Sequence, residues 1–483
     1  MNKHNSLTIR LSLAGLAMAL AGCAIGPDYQ RPAVALPAAY PESTRTGAAE
    51  TGQDTLSAQW WTLYNDTTLD TLISAALKNN VDLQLAIARI DETEAILTET
   101  SANLLPEIDL NATRTKERTS TLMAQWLPLG TPTVTTSNRL TLSTAFELDL
   151  WGKLRRASEA ARAEVLGSRY AKEVTALTLA GTIARAYFSL RALDTQIAVT
   201  KETLASREES LTVVKSRADG GLASDLDVYQ AQGVRADAAL QLRDLQRQRA
   251  LIEHQLGTLT GALDLKIAAG DIMSLPVPAM PPAGLPAMLL ERRPDVHQAE
   301  QAVIAANARI GVAKAALLPT FSLAANYGRD SATSENLFED GARIWSVGPS
   351  ASLPIFDSGK YRARTRQARA RQRASIANYQ KTVKTAFREV ADAIINLEQT
   401  TASVDDTQAK VGAARNALRL SQLRYAEGYS GYLDVLDAQR TANAAELALA
   451  QNRQAQLAYS VDLIKSLGGG WSAPPLTPIR AKD

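Results

Sequence analysis

Hydrophobic positions along this chain follow two different periods, and the changeovers between them are sharp. From Leu154 to Ala218 and from Tyr361 to Glu427, apolar residues recur at spacings of three and four, as in Leu177, Ala180, Ala184, Tyr187 and Leu190. That spacing predicts two very long amphipathic helices, each roughly 95–100 Å at about 1.5 Å per residue. No proline interrupts 134–272 or 356–472, so nothing forces a break. Shorter return helices are expected over about 224–260 and 432–466, and short leading helices over about 67–103 and 285–316.

Four other stretches alternate with period two, at about 106–113, 139–150, 319–328 and 344–355. Leu140, Leu142, Phe146, Leu148 and Leu150 fall on even positions, with mostly polar residues between them. Ile108, Leu110 and Ala112 continue the pattern, as do Phe321, Leu323, Ala325 and Tyr327, and then Trp345, Val347, Ala351 and Leu353. Segments of about ten residues with one apolar and one polar face fit an outer-membrane β-barrel, although a soluble sandwich also has one buried face. Trp126, Trp151, Trp345 and Phe356 fall near strand ends, where aromatic girdles sit. Four strands cannot close such a barrel, and open edges in lipid leave backbone groups unpaired. Since the smallest barrels use about eight strands, the chain must oligomerise. Two copies would supply about eight strands and three about twelve.

The chain is internally duplicated. Gly428-Tyr429-Ser430-Gly431-Tyr432-Leu433-Asp434-Val435 repeats, about 207 residues on, the turn Gly221-Leu222-Ala223-Ser224-Asp225-Leu226-Asp227-Val228. Leu104-Leu105-Pro106 likewise answers Leu317-Leu318-Pro319, and Asp149-Leu150-Trp151-Gly152-Lys153 loosely answers Phe356-Asp357-Ser358-Gly359-Lys360. The expected organisation is a leader over 1–22, an extended Pro-rich strap over 23–60, repeats over 61–275 and 276–470, and a tail over 471–483. Each repeat runs helix, two strands, long helix, tip turn (219–224 and 428–431) and return helix. The class is α+β membrane protein.

Composition narrows the function by exclusion. Without Lys3 and Arg10 of the leader, 50 basic side chains face 50 acidic ones, so no global field draws the chain to nucleic acid. A single cysteine excludes a disulfide framework and a Cys-based zinc site within one chain. His254 and His297 stand singly in helical patterns. No nucleophile–base–orienter set, phosphate loop or metal-ligand cluster is found, so neither enzyme, cofactor nor metal is expected. Asp434 and Asp437 invite a glycosidase reading, but they lie one helical turn apart with no cleft. Lys3 and Arg10, the apolar run from Leu11 to Leu20, and Leu20-Ala21-Gly22-Cys23 read as a secretory signal. Its end resembles a bacterial lipobox, which implies cleavage before Cys23, acylation there, and sorting to the outer membrane with Ala24 following.

Taken together, the duplication, the lipobox, the paired strands and the glycine turns carry a family resemblance. So do Gly26-Pro27-Asp28-Tyr29, Trp60-Trp61, Asp66, Leu69, Asn80, Asp82 and the Leu433–Arg440 run. Over residues 20–470 the chain resembles the TolC-like outer-membrane efflux proteins, most closely the lipidated OprM/NodT-type branch. The resemblance implies a homotrimer in which four strands per chain form one twelve-stranded barrel, continued by a tapering α-helical periplasmic barrel. It implies a passive exit duct for drugs and other toxic small molecules, supplied by a periplasmic adaptor and an inner-membrane RND-type pump. A duct for a type I or ABC exporter, or a non-conducting periplasmic scaffold, are the rival readings.

Leu433, Asp437 and Arg440 share one helical face. Repeated around an axis, Leu433 would form an apolar constriction and Asp437 an acidic ring, and crowded carboxylates repel unless cations sit between them. The resemblance matches Asp434 and Asp437 to acidic constriction positions, Arg424 and Tyr425 to a latch between hairpins, and Asp227 to its acceptor. Where the resemblance places an arginine latch, this chain has Ser430, which supplies no charge. The tips Gly220, Gly221, Leu222, Ala223 and Ser224, with Gly428, Tyr429, Ser430 and Gly431, would dock the adaptor. A basic run, Lys360, Arg362, Arg364, Arg366, Arg369, Arg371 and Arg373, follows the last strand, where inner-leaflet headgroups are one expected partner.

Overall fold

The computed structural model describes residues 24–37, 40, 57–120, 122, 132–279 and 289–471. Cys23 and Trp126 lie outside them. In the first half, α1 (Thr67–Asn79) and α2 (Val81–Ala102) precede β1 (Glu107–Arg118) and β2 (Val134–Leu148), followed by α3 (Lys153–Asp219) and α4 (Asp225–Thr260). In the second half, a single helical turn, Leu289–Arg292, and α5 (Pro294–Ala315) precede β3 (Thr320–Ser331) and β4 (Arg343–Ser352). Then come α6 (Lys360–Ala426) and α7 (Tyr432–Ser466).

Several ends differ from the sequence expectation for physical reasons. The leading helix is not continuous from 67 to 103. Asn80 is extended (φ −66°, ψ 134°), and its side chain caps α2 by accepting from the amides of Asp82 and Leu83. The Asn80 amide nitrogen donates to the Leu259 carbonyl at the end of α4 (3.1 Å), so the break is where the leading helix meets the return helix. β1 continues to Arg118 rather than ending near 113, and β2 begins at Val134 rather than 139. The extensions keep the pairing with mostly polar side chains on both faces, which a hydrophobic alternation does not register. β4 stops at Ser352, short of 355.

The four strands form one antiparallel sheet in the order β1-β2-β3-β4. Register carries the alternation across it: Leu110 is opposite Leu142, Leu142 opposite Tyr327, and Tyr327 opposite Trp345. On the other face Asn111 donates to Ser143 Oγ (2.8 Å) and Asn326 to Ser346 Oγ (3.3 Å). β1 and β4 each keep an unpaired edge in the single chain. No helix among the described residues is long and apolar enough to cross a membrane.

Each strand pair hands over to its long helix through a carboxylate and a glycine. Asp149 accepts from the amides of Leu154 and Arg155 (3.0 and 2.9 Å), and Asp357 from those of Gly359 and Tyr361 (2.9 and 2.8 Å). Gly152 has φ +75°, and a Cβ there would lie 2.8 Å from Ala24, so the strap that follows Cys23 lies directly against the junction. Ile25 donates its amide to the Trp151 carbonyl (3.0 Å). Farther along the strap Asp28 pairs with Arg156, and Arg31 and Tyr29 both reach Glu300. Burial and the Glu300 bond push the Tyr29 phenol well above its ordinary value.

The helices have no single core. One cluster gathers Trp60, Tyr64, Leu69, Ile183, Tyr187 and Leu256, and another Tyr40, Val296, Tyr379, Val383, Val390 and Leu463. Between α3 and α4 the segment after Gly261 is tied down by ions. Asp194 accepts from Arg249 (2.6 Å), Arg191 (3.3 Å) and the Gly270 amide (3.1 Å). Glu253 accepts from Arg249, Lys266 and the Ile267 amide (2.8 Å).

Candidate functional site

The far ends of the long helices are built twice from one design. Gly221 (φ +72°) and Gly428 (φ +78°) stop α3 and α6 in the left-handed region that favours glycine. The next residues bond back to the helix: Leu222 N–H to Arg217 O (2.7 Å) and Tyr429 N–H to Arg424 O (2.8 Å). A Cβ on Gly221 or Gly428 would meet nothing within 4 Å, so backbone conformation, not crowding, requires glycine. Gly220 and Gly431 have ordinary negative φ. Leu222, Ser224, Tyr429 and both pairs of glycines are exposed, while Ala223 and Ser430 are half-buried.

At its start α7 is divided into two faces. Tyr432, Val435, Leu436 and Gln439 are buried, the first three against Val214, Ala231 and Val234. Leu433, Asp434, Asp437 and Arg440 are exposed, with Leu433 65% accessible. The four expected gate residues therefore share one open stripe at a helix start. An apolar side chain, two carboxylates and a guanidinium on such a stripe can narrow and charge an axis that three helices surround.

Tyr425 and Asp227 are not hydrogen-bonded to each other within the chain. Asp227 caps α4: its carboxylate accepts from the Ser224 amide and hydroxyl (3.0 and 2.8 Å), and Ser224 Oγ accepts from the Asp227 amide. Tyr425 instead lies under Arg217, whose guanidinium carbon is 4.7 Å from the ring centroid and whose Nη1 donates to the Tyr425 carbonyl (3.2 Å). Its ring also tilts against Tyr432 at 5.4 Å. Burial pushes the Tyr432 phenol up to about 12. Arg424 is exposed.

Sequence reasoning missed Arg217 and Arg207. Arg217 bridges the two hairpins, and buried Arg207 donates to the Val234 carbonyl (2.6 Å), which fastens α3 to α4. Burial lowers the Arg207 guanidinium from its usual value. A signal for Arg217 was present: it stands at the duplication offset from Arg424 that relates Gly221 to Gly428. Within the basic run, Arg364 and Arg371 line a cavity of about 780 Å³ with Lys153, Glu164 and Arg309. These two therefore face a recess between α3, α5 and α6.

Comparison with known proteins covers nearly the whole chain. The family model described as "Outer membrane efflux protein" matches residues 72–262 and 285–469. The chain is 35% identical over 484 residues to the toluene efflux pump outer membrane protein TtgF of Pseudomonas putida, covering 97% of this chain and 98% of that one. It is 31% identical over 457 residues to the cation efflux system protein CusC of Escherichia coli O6:H1, covering 94% and 97%. A crystal structure of a membrane protein from Pseudomonas aeruginosa superposes with a TM-score of 0.86 at 31% identity, covering 95% of this chain and all of that one.

Proposed function

The chain belongs to the outer membrane efflux protein family, and from that premise we propose how it assembles, what it works with and where it is gated. Its fold is TolC-like, with four strands per chain and long helices in two repeats, and it is an outer-membrane efflux channel rather than an enzyme. Three copies join β4 of one chain to β1 of the next, closing a twelve-stranded barrel above a helical tunnel. The observation that carries this reading is the four-stranded sheet with one apolar face and two unpaired edges. Such a sheet is soluble in lipid only when its edges are closed.

The channel is passive and takes its cargo from a periplasmic adaptor and an inner-membrane RND-type pump, with the cargo in the class of small toxic compounds. Relatives named for toluene and for cations support that breadth. The adaptor engages the tips at 220–224 and 428–431. Leu433, Asp434, Asp437 and Arg440 form the periplasmic constriction, and their common exposure on α7 supports it. Acyl chains on Cys23 anchor each chain, a reading supported by Ala24 packing at the strand–helix junction.

The test is two-fold. Purified full-length protein in planar bilayers should give discrete, cation-preferring conductance steps. Expressed with an adaptor and RND-type pump in a host lacking its own duct, it should restore resistance to toxic small molecules. Membrane insertion without discrete steps would overturn the duct, and steps without restored resistance would overturn the assigned partners.

A further inference from the structure

The two faces of the sheet differ in charge as well as in hydropathy. The register places Leu110, Leu142, Tyr327 and Trp345 on one face. Toward the two hairpins that face continues as Arg114, Lys116, Arg118, Arg329 and Arg343. No Asp or Glu of the four strands stands on it. Glu107, Asp109, Glu117, Glu147 and Asp330 all fall on the opposite face, where Arg139 pairs with Asp330 at 2.6 Å.

The helices of this channel extend into the periplasm, so the hairpins are at the outer end of the barrel. From Phe321 near the helix end to Arg329 is eight residues, roughly 26 Å along a strand at about 3.3 Å each. A tilt of roughly 40° leaves about 20 Å of height, close to an apolar band about 25 Å tall. Arg329 and Arg343 thus stand one register row past the aromatic pair Tyr327–Trp345, where hydrocarbon gives way to headgroups. Arg114, Lys116 and Arg118 stand farther out.

The cations are only partly occupied by protein. Arg329 donates to the Glu339 carbonyl (2.8 Å), and Arg343 lies 3.6 Å from Asp340, both groups exposed. Arg114, Lys116 and Arg118 are exposed and form no ion pair among the described residues. Cations on an edge strand can serve only to discourage stray pairing. That reading leaves out Arg329, which lies on the interior strand β3, and it does not predict that all five share one face while every strand carboxylate takes the other.

We infer that this outward basic belt binds the phosphates of a multiply phosphorylated glycolipid in the outer leaflet. Guanidinium groups match phosphate oxygens in bidentate geometry, and several basic groups per chain recur around the barrel. The inference rests on membrane insertion of the barrel, and not on the gate, the cargo or the pump.

The test uses the full-length protein purified in detergent, with lipid A as probe and phosphatidylglycerol as the second anionic lipid. At about 1 kcal/mol per basic group near the surface, the triple variant R114Q/K116Q/R118Q should bind lipid A at least about tenfold more weakly. The charge-keeping R114K/R118K should lose much less, and the conductance of both should stay that of the native channel. Native protein should also prefer lipid A to phosphatidylglycerol and release it as salt rises, a measurement that needs no variant. Unchanged binding in the triple variant, equal affinity for the two lipids, or salt-insensitive binding would each overturn the belt. None of these results bears on whether the channel conducts.

Discussion

Asp434 and Asp437 each begin from an ordinary preference, an acidic residue near a helix N-terminus. What distinguishes them is company: they share an exposed stripe with Leu433 and Arg440 while Tyr432, Val435 and Leu436 hold the other side of α7. Asp434→Ala with Asp437→Ala should raise single-channel conductance and weaken block by multivalent cations by about tenfold, the loss of roughly 1.4 kcal/mol of attraction at a partly solvated ring. An unchanged channel in planar bilayers would remove these residues from the gate. Arg217 makes the other residue-scale prediction. Its contact over Tyr425 at 4.7 Å is worth about 1–2 kcal/mol. Arg217→Ala should therefore shift the tip toward the open state by roughly tenfold, read as open probability without adaptor. Ser430 adds no charge to that hold. The glycine turns and the acidic pair were legible in the sequence because local rules require those residue types. The Arg217–Tyr425 contact was not, since it joins residues 208 apart along the chain.

Among elements, the segment that follows α4 depends on buried charge. Glu253 is 4% exposed. Burial works against its carboxylate, but the Ile267 amide, Lys266 and Arg249 outweigh burial and hold it below its ordinary value of 4.5. The sign follows from that depression. The stabilisation Glu253 contributes is complete above about 4.5, and it is lost as pH falls through the lower folded value. Glu253→Gln should lower the melting temperature near pH 7, with a cost of about 1–2 kcal/mol for the weakened charge-assisted hydrogen bonds, since Arg249 keeps Asp194 and Lys266 is exposed to water. The gap from the native protein should close as pH falls below 4.5. Thermal melts across pH 3 to 7 check it; a gap independent of pH would mean that the carboxylate charge is not what holds the segment.

For the whole molecule, the strap ties the start of the chain to its own helices, and the open sheet edges decide how copies assemble. The strap is fixed by Arg156–Asp28, Arg31–Glu300 and the Ile25–Trp151 bond, all independent of any acyl group. Cys23→Ser should therefore abolish incorporation of labelled palmitate while leaving single-channel conductance unchanged. A variant that loses conductance with the label would mean that the anchor, rather than the strap, positions the barrel. Assembly itself should be all-or-none, because one chain leaves the β1 and β4 edges open and lipid cannot satisfy them. Monomers found stably inserted by crosslinking in native membranes would contradict that.

Periodicity and turn chemistry alone determined the element types, the duplication and the two-faced strands, since these depend on residues within a few positions of one another. The resemblance built on those motifs added the trimer and the duct. Only the tertiary structure decided the Asn80–Leu259 contact at the helix split, the extension of β1 to Arg118 and the Arg217 bridge. It also aligned the outward cations of three strands on one face. Each of these depends on which distant segment lies alongside, and no local pattern carries that information.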